Sequence, residues 1–339
     1  MTAEAAARSG DSAHLTPVVR LAPAKLNLTL AIVGRRPDGF HDLHSVFVPL
    51  ALHDILTLAP SGPGGARRDT LHVSGLDAGP TADNLVLRAI GAARELVGQG
   101  PGRPATPPLA TRLEKRIPVA AGLGGGSSDA AAALDGALAT WGAGDIDPDA
   151  RTSAALGVGS DVPYFLAGQP ALVEGRGERL TPLNGLHGHP GILLVTPRVS
   201  VRSADVYEVF DGARHAGDPS IRMTSAHLAQ EIGNGLSATD FQARAGVLAA
   251  ANDLLPATLL VVPALVGFRR ALTRVLGHPI GLSGSGPTLW TLYPSLAEAE
   301  AAALTAQAAV DDGTLPALGD GPPAIIATTI RTGHEEGAT

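Results

Sequence analysis

Period-two alternation opens the chain. In VVRLAPAKLNLTLAIVG, Leu26, Leu28, Leu30 and Ile32 fall on one side while Lys25, Asn27 and Thr29 fall on the other, which predicts a strand that presents Lys25 and Asn27 together. RRPDGF has turn chemistry, HSVFVPLALHDILTLAP predicts further strand, and SGPGGARRD an exposed loop. From Thr81, TADNLVLRAIGAARELVG sets a capping residue before apolar positions at helical spacing. IPVAAGLGGGSSDAAAAL, from Ile117 to Leu134, predicts a glycine loop feeding a helix, and GVGSDVPYFLAG a second glycine-containing turn. Beyond these, GILLVTP reads as strand, and SADVYEVFD, FQARAGVLAAANDLL and Leu265 to Leu276 as helices. LAEAEAAALTAQAAV closes the helices and PAIIATTI the strands. Mixed elements without an internal repeat give an α+β class.

Length divides this pattern. A chain of 339 residues exceeds one ordinary core, and we expect a tail over 1–13, one domain over 14–169 and a second over 170–331, whose last strand could return to the first. The apolar run from Leu254 to Phe268 is broken by Pro256 and Pro263, so no membrane association is expected. The absence of cysteine excludes disulfides and thiolate chemistry and fits a reducing cytoplasm. A formal charge of −7 without long basic runs argues against nucleic acid as a partner. Only Lys25 and Lys115 among the 25 basic residues are lysines. A compact ammonium suits a phosphate oxygen or a reacting hydroxyl better than a planar guanidinium, although chance retention explains two lysines equally well.

Candidate chemistry centres on GLGGGSS. Unpaired amides at a helix start, approached through glycines without Cβ atoms, make an anion cradle. A plain turn in which Ser127 or Ser128 caps the alanine-rich helix is the competing reading. A Walker A loop requires lysine after Gly126 and is absent, and the dinucleotide fingerprint matches only in part.

Together, APAKLNLTL, the PVAAGLGGGSS loop and GLSGSGPT resemble, in order, the three motifs of the GHMP family of small-molecule kinases. RRPDGFHDL, GSDVPYFLAG and NDL at Asn252 to Leu254 narrow the resemblance to the branch whose acceptor is a cytidyl-linked methylerythritol, in non-mevalonate isoprenoid synthesis. The resemblance implies an N-terminal domain like domain 2 of ribosomal protein S5, a ferredoxin-like C-terminal domain, and a monomer or weak homodimer. It implies ATP and Mg²⁺ as cofactors, with Gly122, Leu123, Gly124, Gly125, Gly126, Ser127 and Ser128 around the phosphates, the two serines near the metal, Lys115 beside the loop and Asn84 toward the adenosine. Asp161 would accept the acceptor's proton and Lys25 would favour the incipient alkoxide.

For the acceptor, the resemblance implies Asn27, Phe40, His41, Tyr207, Gly284, Ser285 and Gly286. Phe40 stands where the family usually has tyrosine and so lacks its hydroxyl. Blander readings stand beside these: Asp161 in a turn before Pro163, Tyr207 as helix core, and residues 284–286 as a simple turn. Asp129 reads as a first-turn carboxylate worth about 0.3–1 kcal/mol to the helix, with a metal contact as the lesser role. His41 and His44 lack a third zinc ligand. A kinase for homoserine or mevalonate, and a ligand-binding protein without activity, are the alternative functions.

Overall fold

A single 20-residue strand organises the first sheet of the computed structural model, which describes residues 16–332 apart from 63–64, 80–83, 99–101, 103 and 214–216. The expected tail lies outside the described residues. In chain order the first part comprises β1 (Val18–Asn27), β2 (Ala31–Arg35), β3 (His41–Pro60), β4 (Thr70–Gly75), α1 (Leu85–Val97), β5 (Leu109–Lys115), α2 (Gly125–Thr140), α3 (Pro148–Val158), α4 (Val162–Ala167), β6 (Ala171–Gly175) and β7 (Arg179–Pro182). The sheet order is β4-β5-β3-β6-β7, with β1 and β2 both paired to β3. The β1 ladder shifts register between Pro23 and Lys25, where proline lacks a donor.

Alternation in the first strand does not mark a wet face. Leu26 and Leu28 are buried in the core, and Lys25, Asn27 and Thr29 are buried on the other side. The alanine run of α2 has the same origin. A helix apolar on most of its circumference belongs inside, and α2 packs against α1, β1, β3 and α4. Gly136 admits Leu58, whose Cδ1 would lie 2.5 Å from a Cβ there.

The second part contains β8 (Leu186–His187), β9 (Gly191–Thr196), α5 (Ser203–Gly212), α6 (Pro219–Gly233), β10 (Leu236–Ser237), α7 (Ala238–Ala243), α8 (Ala245–Ala250), α9 (Leu255–Val261), α10 (Ala264–Leu276), β11 (Gly281–Leu282), β12 (Leu289–Tyr293), α11 (Leu296–Asp311) and β13 (Ala324–Thr329). Its sheet runs β11-β12-β9-β13.

The sheets bear on two expectations about organisation. The division at 169/170 falls inside the first sheet, because β6 pairs with Leu43 to Phe47 of β3 and β7 with β6, out to Pro182. The last strand joins the second sheet, where β13 pairs with β9, and it also meets the first: Leu52 N donates to Thr328 Oγ1 at 3.0 Å, Ile330 bridges Leu50, and Arg331 N donates to the Pro49 carbonyl at 2.8 Å. The helix expected over FQARAGVLAAANDLL is two short helices that stop before Asn252 and Asp253, whose side chains bind backbone groups elsewhere and so compete with helix continuation. No single helix among the described residues is long and apolar enough to cross a membrane; α9 and α10 pass only as a pair bent by 119°.

Candidate active site

Lys25 sits where β1 meets the glycine loop. Its backbone N–H donates to the Leu123 carbonyl at 2.9 Å, and its Nζ donates to Asn27 Oδ1 and lies 3.7 Å from Asp161 Oδ2. Asn27 Nδ2 in turn donates to Ser45 Oγ at 3.1 Å. Burial lowers the Lys25 pKa and the adjacent Asp161 carboxylate opposes that shift. Asp161 lies in the turn before α4 without making a side-chain cap bond there, and its carboxylate is 30% exposed and lines the cavity.

The loop between β5 and α2 turns through left-handed backbone at Gly122 and Gly124 (φ 76° and 69°). Gly124 is the N-cap of α2, and the first helical bond runs from Ser128 N to its carbonyl. The amides of Gly125, Gly126 and Ser127 therefore precede the intrahelical ladder. Neither serine caps the helix, contrary to the competing sequence reading: Ser127 lines the cavity, whereas the Ser128 hydroxyl is buried without a partner.

Asp129 is not a first-turn carboxylate either. It is buried one turn further on, where its Oδ2 accepts from Lys115 Nζ at 2.7 Å and its Oδ1 has no partner. Lys115 also donates to Asp54 Oδ2 at 2.5 Å. Burial, with Asp54 nearby, raises the Asp129 pKa to about 7 despite the Lys115 ammonium. Burial opposes charge on Lys115, but its two carboxylates outweigh that and raise its pKa.

Both remaining corners come from elsewhere in the chain. Asn84 is the N-cap of α1, its Oδ1 accepting from Val86 N at 3.0 Å, and it faces the same cavity. The turn between β11 and β12 docks directly on the glycine loop: Ser283 Oγ donates to the Gly122 carbonyl at 2.9 Å, and Asn252 Nδ2 holds the carbonyls of Leu282 and Gly284 at 3.0 and 2.9 Å. Gly284 and Ser285 line the cavity. Gly286 is not among the residues that line it; its left-handed backbone (φ 81°) is what calls for glycine in this turn.

Opposite the loop, His41 stacks on Tyr207 with ring centroids 4.8 Å apart, and its Nε2 lies 2.8 Å from Asp211 Oδ1. Tyr207 both packs on the Phe210 cluster and lines the cavity. Burial, reinforced by Asp161, raises its phenol pKa. Phe40 is 47% exposed, with the Arg176 guanidinium 3.7 Å from its ring centroid. The cavity these groups share measures about 1040 Å³. Among the described residues no three His, Asp or Glu side chains converge as metal ligands.

Sequence reasoning gave no site role to Asp54, Asp211 and Arg176, and used Asn252 only as part of the NDL motif. Asp54 had a signal of its own, as a lone acid in an apolar strand.

With this geometry in view, likeness to known proteins is specific. The GHMP kinases N terminal domain matches residues 84–169, the stretch from the Asn84 cap through the glycine loop to α4. A 4-diphosphocytidyl-2-C-methyl-D-erythritol kinase of Deinococcus radiodurans is 37% identical over 292 residues, covering 85% of this chain and 89% of that one. The chain belongs to the 4-diphosphocytidyl-2-C-methyl-D-erythritol kinase family. A crystal structure of 4-(cytidine 5'-diphospho)-2C-methyl-D-erythritol kinase superposes with a TM-score of 0.64 at 32% identity, covering 92% of this chain and 99% of that one. The homoserine kinase of Cytophaga hutchinsonii reaches a TM-score of 0.61 at only 15% identity, over 93% and 95% of the two chains, and shows the fold alone. This kinase family therefore carries the GHMP fold here, in an α+β chain.

Proposed function

We propose that the chain transfers the γ-phosphoryl group of ATP to the 2-hydroxyl of 4-(cytidine 5'-diphospho)-2-C-methyl-D-erythritol, a step of non-mevalonate isoprenoid synthesis. The observation that carries the reading is the Lys25–Asp161 pair, 3.7 Å apart, facing the cavity that the glycine-loop amides also face. Phosphoryl transfer needs positioning, neutralisation of developing charge and a place for the hydroxyl proton. The free amides of residues 125–127 would hold phosphate oxygens, with the positive end of α2 behind them. Asp161 would take the proton from the attacking hydroxyl, and the Lys25 ammonium would stabilise the alkoxide as it forms. Asn27 would act chiefly by orienting that ammonium, since both ends of its amide are engaged.

All seven line the same cavity: Asn84 and Lys115 would flank the nucleotide, while Phe40, His41, Tyr207, Gly284 and Ser285 would flank the acceptor. Stacking on Phe40 or Tyr207 and an edge contact to His41 are the interactions that a cytosine ring can accept and homoserine or mevalonate cannot. Mg²⁺ fits as a companion of the triphosphate, whose charge it would offset; Ser127 is the loop hydroxyl open to the cavity, and Ser128 is enclosed. ADP release with each acceptor in turn tests the reading. Turnover with the cytidyl substrate and none with homoserine or mevalonate is expected, and the reverse pattern would dismiss it.

A further inference from the structure

The carboxylate of Asp54 touches nothing in the cavity, yet it reaches both ends of the glycine loop. It is wholly buried on β3, next to Ile55, which pairs with Glu114 of β5. Its Oδ1 accepts the backbone N–H groups of Arg116 and Ile117 at 2.5 and 2.9 Å, the first two residues after β5. Its Oδ2 accepts from Lys115 Nζ, and that ammonium continues to Asp129 Oδ2 in the second turn of α2. Residues 116–124 are therefore fastened where they leave the sheet and, through one lysine, where they enter the helix.

A buried carboxylate is retained at a cost in desolvation, which an apolar side chain in the same strand would avoid. Hydrogen bonds to backbone amides and to an ammonium offset that cost, and all of them end on this loop. The same lysine has its charge engaged by two carboxylates, which makes it a strut under the loop; a phosphate oxygen would have to compete with both.

We propose that Asp54 is a positioning residue for nucleotide binding, acting through Lys115 and the amides of residues 116 and 117 to hold the glycine loop in its anion-binding shape. The inference rests on reading the cavity as an ATP site. It also predicts that the acceptor wall carried by Phe40, His41 and Tyr207 is less sensitive to Asp54 than the ATP site is.

Equilibrium binding of ATP to wild type, Asp54→Asn and Asp54→Ala, read by calorimetry, tests this, with acceptor KM and amide hydrogen exchange of residues 116–124 as companions. Loss of charge-assisted bonds should weaken ATP binding about tenfold or more in Asp54→Ala, and less in Asp54→Asn, which keeps an acceptor oxygen. Exchange over 116–124 should rise, and the acceptor KM should change less than the ATP affinity does. If Asp54→Ala does not fold, the isosteric Asp54→Asn decides. Folded variants that bind ATP like wild type, or that lose ATP and acceptor affinity equally, would overturn the assignment. Failure of the wild type to bind ATP would instead refute the kinase reading itself.

Discussion

Gly122 and Ser283, 161 positions apart, meet backbone to side chain: the serine hydroxyl donates to the glycine carbonyl at 2.9 Å. A Cβ on Gly122 would stand 2.3 Å from the Ser283 carbonyl oxygen, and the residue's φ of +76° disfavours any L side chain. Gly122→Ala should therefore separate the two turns and destabilise the fold by about 1–3 kcal/mol. Urea denaturation gives the stability, and the ATP KM should rise in the same variant. An unchanged midpoint and KM would mean that the two turns do not depend on each other.

Lys25 and Asp161 act as a unit in the proposed reaction, so their loss should appear in kcat and leave ATP binding nearly intact. Asp161→Asn and Lys25→Met should each lower kcat by about 10²–10⁴, the usual range for general acid–base groups. The double variant should be hardly worse than either single one. Rapid-quench single turnovers would separate chemistry from product release. Asp161→Asn within tenfold of wild type would remove the proton acceptor from the scheme. Chelation of divalent cations with EDTA should also stop turnover, and restored Mg²⁺ should recover it.

Much of this arrangement can be read from local letters. The alternation around Lys25, the RRPDGF turn, the loop before α2 and the two C-terminal elements all obey nearest-neighbour rules. The helix predicted from Thr81 is present as α1, capped by Asn84; Thr81 itself lies outside the described residues. Helices α3 and α6 carry signals that went unread, an aspartate cap followed by proline in each. What eluded local reading depends on distant pairing. Whether Asp129 caps a helix or joins a buried triad depends on Asp54, 75 positions upstream, and the affiliation of β6, β7 and β13 depends on which sheet edge is free. Ser128 shares a motif with cavity residues but points elsewhere, because a helix turns its successive side chains by about 100°.

Acid sensitivity has a local source in the second part of the chain. Glu231 on α6 accepts from Arg244 Nε at 2.7 Å and Nη2 at 2.5 Å, and these bonds hold its carboxyl below the ordinary value of 4.5. The unfolded chain therefore binds more protons between the two pKa values. The stabilisation is fully present above pH 4.5 and is lost as pH falls through the native value. Both partners are partly exposed, so Arg244→Met should remove no more than about 1 kcal/mol at neutral pH and should flatten the acid limb of the stability curve. Thermal melts from pH 3 upward, run at about 0.15 M salt, check the slope. A variant whose acid limb matches wild type would show that the pair carries no net stability.

The acceptor wall should reveal itself by a split between the two substrates. His41 is fixed from both sides, by the Tyr207 ring at 4.8 Å and by Asp211 at 2.8 Å, with Arg35 Nη1 a further 3.3 Å from the other Asp211 oxygen. A ring held this way presents its free edge in one orientation, which is what reading a base edge requires. Removing it in His41→Ala should raise the acceptor KM about 10–100-fold, the worth of one well-placed hydrogen bond with its unpaired partner, and leave the ATP KM alone. Asp211→Ala should act in the same direction and more weakly, because the Tyr207 stack remains. Phe40→Tyr should be near neutral, since Arg176 already covers one ring face and the added hydroxyl would sit on an exposed side chain. Steady-state kinetics with each substrate varied in turn would decide, and a His41→Ala enzyme whose ATP KM rises in step with its acceptor KM would place the histidine in general support of the fold.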